Sequence, residues 1–153
     1  MTQFGYVEDQ VLQPGQAAIL QNVRPCTRCP QLVMHENLTS NINVRGITRT
    51  PCSEALYRIS FSGNIASPEG GTAGEIQLAF YVDGAVRPLT IAAATPAAAE
   101  EYWHVSGEDI IGVPMGCCPI IYVANASVSA TPATTPAPAL TVRNLQVFVD
   151  RDN

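Results

Sequence analysis

The chain contains no lysine and few charged residues of either sign. Its eight basic residues are all arginines, the acidic residues number 13, and charged residues occupy only 14% of the 153 positions. The net charge of −5 and the scattered arginines argue against nucleic acids and anionic membranes as partners. Because 46% of the residues are hydrophobic, the small charged surface indicates that a sister subunit or a larger assembly covers part of the molecule.

Long apolar runs are also missing. No segment reaches the length of a membrane span, and Met1–Asp9 has neither the basic opening nor the apolar block of a signal peptide. We therefore expect a complete cytosolic translation product whose thiols are mostly reduced. Its five cysteines, an odd and modest number, do not predict a disulfide framework. The length predicts one compact domain.

Helical periodicity is absent too, since no stretch of a dozen residues shows a 3.6-residue repeat. Short alternating or apolar runs, separated by Gly, Pro, Asn and Ser, predict about ten β-strands. The predicted strands are 16–23, 31–35, 42–46, 55–65, 74–82, 86–93, 101–105, 109–113, 117–124 and 140–149. This pattern predicts an all-β fold, an antiparallel sandwich of the jelly-roll type.

Alternation within these runs predicts the core. The predicted core residues are Tyr57, Ile59, Phe61, Ile76, Leu78, Phe80, Val82, Leu140, Val142, Leu145, Val147 and Val149. The alternation slips near Arg143-Asn144, which predicts a β-bulge in the last strand. Asp83-Gly84 joins two strand-like runs and predicts a tight hairpin.

Three strands carry an aromatic residue on the face opposite the core, namely Tyr81, Tyr122 and Phe148. Isolated surface aromatics are common, so one interpretation gives them no special role. The sharper interpretation is a subunit interface, where aromatics are enriched and charges scarce. The predicted interface residues are Tyr81, Tyr102, Trp103, Cys118, Tyr122 and Phe148.

Cys26-Thr-Arg-Cys29 and Cys52 resemble part of a zinc site, but a structural zinc ion usually needs four ligands and no second motif follows. Cys29 and Cys52 bracket two predicted strands, a spacing compatible with a disulfide formed after release into an oxidising environment. Free buried thiols are the alternative. We expect no metal and no cofactor.

Catalytic motifs are lacking as well. His35 and His104 have no recognised spacing with Ser, Cys or Asp. Adjacent acidic pairs, Glu100-Glu101 and Glu108-Asp109, do not show carboxylates converging across a cleft. The glycine-rich run 70–74 lacks the lysine of a phosphate-binding loop. We therefore expect no catalytic residues and no enzymatic activity.

The adjacent cysteines Cys117 and Cys118 lie at the start of the predicted strand 117–124. Successive side chains on a strand face opposite ways, so we expect Cys117 in the core and Cys118 on the face of Tyr122. On that premise the pair cannot bind one metal ion jointly, and a disulfide between neighbours would strain the peptide.

Three segments resemble a family of small structural proteins of tailed phages and prophages of gut Gram-positive bacteria. They are Leu56-Tyr-Arg-Ile-Ser-Phe-Ser-Gly-Asn-Ile-Ala-Ser-Pro-Glu-Gly-Gly-Thr-Ala-Gly-Glu-Ile-Gln-Leu-Ala79, Thr95-Pro-Ala-Ala-Ala-Glu-Glu-Tyr-Trp-His-Val105 and Val113-Pro-Met-Gly-Cys-Cys118. The resemblance implies a trimeric jelly roll of the tumour-necrosis-factor and complement-globular-head type, in which one sheet packs against neighbouring subunits around a threefold axis. Residues 1–25 have no counterpart in it, and the Thr/Pro-rich loop 131–138 is longer than expected.

The resemblance implies a non-enzymatic virion protein, assembled in the bacterial cytoplasm, whose trimers decorate the capsid. Residues 26–153 would form the jelly roll. Residues 1–25 would be an anchoring arm with a first strand, docking on the major capsid protein or another virion protein. The alternatives are a receptor-binding head at a tail tip or fibre, and a carbohydrate-binding module that stacks sugars on Trp103, Tyr102 or Tyr81.

Overall fold

A computed structural model describes residues 1–24, 32–48, 53–71, 74–129 and 136–152. Its strands are β1 (Thr2–Tyr6), β2 (Gln10–Leu12), β3 (Gln21–Arg24), β4 (Val33–His35), β5 (Ile42–Val44), β6 (Glu54–Ala66), β7 (Ile76–Val82), β8 (Ala85–Val86), β9 (Ala92–Ala94), β10 (Trp103–Pro114), β11 (Ile120–Asn125) and β12 (Leu140–Arg151). A 3₁₀ turn, Pro88–Thr90, lies between β8 and β9. Within these ranges no helix is long and apolar enough to cross a membrane.

The strands form two antiparallel sheets that pack face to face. Sheet A has the order β10-β6-β12-β1-β3, with β2 also paired to β12. Sheet B has the order β4-β5-β11-β7-β8, with β9 also paired to β7. The buried side chains of both inner faces form one hydrophobic core. The predicted all-β antiparallel sandwich is confirmed.

The predicted core is confirmed almost completely, because each predicted residue except the half-buried Val82 is buried. The predicted bulge is present: the register of β12 against β6 shifts between Arg143 and Gln146, and Asn144 has a φ of 52°. Asp83 and Gly84 have φ values of 50° and 83° between β7 and β8, as a tight hairpin turn requires.

The two predicted strands 101–105 and 109–113 are wrong as separate elements, because they form the continuous strand β10. Pairing with β6 continues through Gly107, which lies opposite Phe61. A Cβ atom on Gly107 would lie 2.4 Å from the carbonyl oxygen of Thr90. This glycine therefore permits close approach of the 3₁₀ turn to the strand, whereas the sequence suggested a break.

The N-terminal segment belongs to the sandwich as far as it is described. β1 lies between β12 and β3 in sheet A, with Phe4 opposite Val147 and buried in the core. The terminal ammonium of Met1 lies 3.1 Å from Oδ1 of Asp150. Docking of residues 1–25 on another particle stays a prediction.

Polar contacts join the two sheets along their edges. Arg87, after β8, donates from Nε to Oδ2 of Asp109 on β10 at 2.8 Å. The other oxygen of Asp109 accepts a hydrogen bond from the backbone N–H of Ile110 on this edge strand. Asp109 is only 10% exposed, so this ion pair is partly removed from solvent.

His35 on β4 joins the opposite edges of the two sheets. Its Nδ1 lies 2.6 Å from Oδ1 of Asn22 on β3, and its Nε2 lies 2.8 Å from the carbonyl oxygen of Thr39. The ring packs against Phe4, with 4.8 Å between centroids. Burial lowers the pKa of His35, and the Thr39 carbonyl opposes this effect without reversing it.

Candidate functional site

The predicted interface residues Tyr81 and Tyr122 lie together on the outer face of sheet B. They are cross-strand neighbours on β7 and β11. Their rings are stacked, with centroids 5.3 Å apart and planes within 5° of parallel. Burial, and secondly the neighbouring Tyr122, raises the pKa of Tyr81. The prediction from the sequence that both tyrosines point away from the core is correct.

This pair belongs to a row of apolar side chains across sheet B. Val86 lies opposite Tyr81. At the other end, Ala17 bridges to Ala124 and the N–H of Ala18 bonds to Val123, so the antiparallel alignment places Ile19 beside Tyr122. Ile19 is 43% exposed and Val86 is 37% exposed. No charged residue stands in this row.

Phe148 is also on an outer face, but it is the outer face of sheet A. It lies between Gln3 on β1 and Ser60 on β6. The next row contains Gln146 opposite Ser62. These five residues, Gln3, Ser60, Ser62, Gln146 and Phe148, are half-buried and uncharged, and we call them the sheet A strip.

Charged side chains lie toward one end of the sheet A strip and are paired there. Arg58 lies within 3.8 Å of Glu108 and within 3.5 Å of Asp152. Asp150, which the N-terminus contacts, lies opposite Arg58 in the row next to Phe148, and Glu108 lies opposite Ser60. The paired charges therefore border the strip on the side of Phe148.

Tyr102 and Trp103 lie at the beginning of β10. The Tyr102 hydroxyl donates to Oδ2 of Asp9 at 3.1 Å, and the Arg143 guanidinium covers the tyrosine ring at 3.9 Å. Arg143 also donates to both oxygens of Asp9, which lowers the pKa of that carboxyl. Trp103 is 45% exposed, and its Nε1 donates to Oε1 of Glu101 at 3.0 Å.

Cys118 follows the opposite end of β10, whose 12 residues from Trp103 to Pro114 span roughly 36 Å. The structure therefore does not bring the six predicted interface residues onto one surface. Tyr81 and Tyr122 share sheet B, Phe148 faces outward from sheet A, and the others lie at the two ends of the sandwich. Which of these surfaces contacts another subunit stays a prediction.

The prediction for the adjacent cysteines is wrong in its premise. β11 begins at Ile120, so residues 117–119 precede the strand, and Cys117 and Cys118 are both exposed free thiols. Two residue types in the sequence indicated that these positions lie outside a strand. Gly116 precedes the cysteines and has a φ of 82°, and Pro119 follows them. The suggested pair Cys29 and Cys52, with Cys26, lies outside the described residues.

The other candidate groups have structural contacts. Among the described residues no three His, Cys, Asp or Glu side chains are grouped so that they could hold a metal ion. Asn125, the first residue of a glycosylation-like Asn-Ala-Ser triplet, is 1% exposed, and its amide is fully engaged with the backbone. A glycan cannot be attached there in the folded chain.

Neither a protein-family model nor a curated protein matches the chain. Solved structures do. The globular domain of zebrafish complement 1qA protein is similar with a TM-score of 0.55 and 10% identity, over 96% of this chain and 94% of that one. Murine APRIL, a tumour-necrosis-factor-like jelly roll, is similar with a TM-score of 0.51 and 12% identity, over 93% and 98%. The chain therefore has the jelly-roll fold that these domains share.

Proposed function

We propose that this chain is a non-enzymatic structural protein that assembles as a homotrimer through the outer face of sheet A. The observation that carries the proposal is the neutral sheet A strip, which presents Phe148 on the outer face and is bordered by the paired charges of Arg58, Glu108 and Asp152. A charge-depleted patch with an aromatic residue and a polar border is the usual anatomy of a subunit interface.

The size of this face supports the same proposal. β6, β10 and β12 contain 13, 12 and 12 residues, so they span roughly 40 Å, and five strands side by side are roughly 20 Å wide. Because β1 and β3 contain only 5 and 4 residues, the face offers roughly 700 Å², close to the roughly 800 Å² that one partner contributes to a stable interface. Domains of the two similar fold types are trimeric in general.

Sheet A is a better candidate than sheet B because the aromatic residues of sheet B already pack on each other. Each of Tyr81 and Tyr122 covers a ring face of the other, and Ile19 and Val86 flank them. Phe148 lies between two uncharged polar residues instead, the short Ser60 and Gln3, so no aromatic ring covers it from a neighbouring strand.

Light scattering at micromolar concentration tests the trimer. The expected mass is about three times the chain mass of 16.3 kDa. Phe148→Arg should reduce the mass to that of one chain, because it places a charge in the centre of the interface, and Tyr122→Arg is the matched control that should stay trimeric. A wild-type monomer would refute the assembly. Dissociation by Tyr122→Arg alone would assign the interface to sheet B.

The setting we propose for the trimer is the surface of a phage capsid, where it decorates or stabilises the shell. This part of the proposal is based on the sequence resemblance alone. Antibody labelling or cryo-electron microscopy of purified virions tests it, and density for the trimer on the head is the expected result. Density at a tail tip would support the receptor-binding alternative, and absence from virions would contradict both.

Carbohydrate binding is the second candidate, and one observation favours Trp103 as its site. The Arg143 guanidinium covers a face of Tyr102, and Tyr81 is stacked on Tyr122, whereas Trp103 is exposed with its indole oriented by Glu101. Glycan-array binding that disappears in Trp103→Ala would support this function. No binding to any glycan would count against it.

The absence of catalysis is part of the proposal as well. Glu101 and Asp109, from the two adjacent acidic pairs, contact Trp103 and Arg87 and do not face each other across a cleft. Any turnover that depends on Glu101, and is lost in Glu101→Gln, would contradict a purely structural function.

A further inference from the structure

Cys117 and Cys118 both line the same cavity, although they are adjacent in sequence. The cavity has a volume of about 330 Å³ and is lined by Arg45, Gly46, Ile47, Gly116, Cys117 and Cys118. In a strand the two side chains would point to opposite faces. Because residues 117–119 precede β11, that restriction does not apply, and both cysteines belong to the lining of one space.

The backbone around the thiols is held in place by the facing segment. The N–H of Gly46 donates to the carbonyl of Cys117 at 2.8 Å, and the N–H of Gly116 donates to the carbonyl of Gly46 at 3.0 Å. The N–H of Cys117 bonds to Pro114 at 3.0 Å. A side chain at Gly46 would collide with Pro114, so this contact requires glycine. The thiols are therefore exposed on a fixed turn.

The chemistry of the cavity suits a soft ligand. Two thiols on neighbouring residues have Cα atoms about 3.8 Å apart, so they can bind one centre through two adjacent sulfur ligands. Sulfur ligands select soft metals and metalloids, and two of the six described residues in this lining are cysteines. Oxygen-preferring ions such as Mg²⁺ and Ca²⁺ have no carboxylate among the described residues of this lining.

We propose that Cys117 and Cys118 form a chelating dithiol site for a soft metal or metalloid centre that accepts two neighbouring sulfur ligands. The site is independent of the trimer and of the capsid setting. With an organic arsenic(III) oxide as the ligand, two S–H groups react with one As=O group. Two As–S bonds form, the oxygen leaves as water, and no electron is transferred.

The probe is phenylarsine oxide, added in one equivalent to the reduced full-length protein. Native mass spectrometry should show one phenylarsenic group per chain with loss of one water. The adduct should survive excess monothiol and be removed by a dithiol. Cys117→Ser and Cys118→Ser should each lose it, because one As–S bond is displaced by monothiol. Both residues are exposed, so far-UV circular dichroism should show folded variants.

The full-length variant Cys26→Ser/Cys29→Ser/Cys52→Ser separates this site from the other thiols. It should keep the adduct, and loss of the adduct would overturn the proposal by assigning it to those cysteines. Peptide mapping of the wild-type chain gives a second readout: phenylarsine oxide should protect Cys117 and Cys118 together from alkylation. Unprotected alkylation of both would overturn the proposal even if a variant failed to fold.

Discussion

Replacing Asn125 by alanine tests how one end of the sandwich is joined. Asn125 ends β11 and is 1% exposed. Its Nδ2 donates to the carbonyl oxygens of Leu12 and Pro138, both at 3.0 Å, and its Oδ1 accepts from the N–H of Ser127 at 2.9 Å. One side chain thus connects the end of β2, the segment before β12 and the segment after β11.

The expected loss of stability follows from the three hydrogen bonds. Alanine leaves one buried N–H and two carbonyl groups without this partner, at about 1–3 kcal/mol for each unsatisfied group. A carbonyl oxygen can keep a second hydrogen-bond partner, so each of the two carbonyls should cost only about 1 kcal/mol. The total loss in free energy of unfolding should then be about 3–4 kcal/mol. At about 2–4 °C per kcal/mol for a domain of this size, Tm should fall by about 10 °C.

Urea unfolding followed by circular dichroism measures the free energy, and a thermal scan measures Tm. Asn41→Ala, at an exposed asparagine, is the matched control and should change stability by less than about 0.5 kcal/mol. A loss below about 1 kcal/mol for Asn125→Ala would refute the reasoning. Asn125→Asp should be worse at neutral pH, because a carboxylate cannot donate to the carbonyls of Leu12 and Pro138.

Three further predictions concern the contacts between the sheets. Gly107→Ala should lower the free energy of unfolding in urea by about 2 kcal/mol, because the added Cβ atom has no room. Gly74→Ala is the control and should have little effect, because a Cβ atom there has no neighbour within 4 Å. Equal effects of the two substitutions would contradict this. Asp109→Ala should cost about 2 kcal/mol, since it leaves the Arg87 guanidinium without its partner, and full retention of Tm would contradict it. The lowered pKa of His35 means that the folded state favours the neutral ring. The stabilisation by His35 is therefore fully present above its unfolded pKa of 6.5 and is lost as the pH falls below that value. His35→Gln should make the urea midpoint decline less between pH 7.5 and 5, and an unchanged decline would count against this.

The trimer and the dithiol site can be tested separately. Phe148 faces outward from the middle of sheet A, whereas Cys117 lies in a turn beyond the end of β10. The two positions share no contact, so a variant at one should leave the readout of the other unchanged. A failed trimer test therefore does not affect the thiol proposal.

The sequence by itself determined the fold class and most of the core. Residues such as Ile59, Phe61 and Ile76 alternate with polar neighbours, and this period places them on one face of a strand whatever the sheet order is. The turn at Asp83-Gly84 and the bulge at Asn144 were also predictable, because backbone conformation there depends on local residue type and phase. These features are properties of short stretches of chain.

Only the tertiary structure decided which surfaces these residues share. The same alternation that turned Tyr81, Tyr122 and Phe148 away from the core gave no sheet order, so it did not show that Phe148 lies on the other sheet. Gly107 suggested a break between two strands, whereas its role is to leave room for the backbone of Thr90 against a continuous strand. Cys117 and Cys118 line one cavity because a distant segment, with Gly46, holds their turn outside the strand. Pairing between strands far apart in sequence creates these surfaces, and a local pattern contains no information about it.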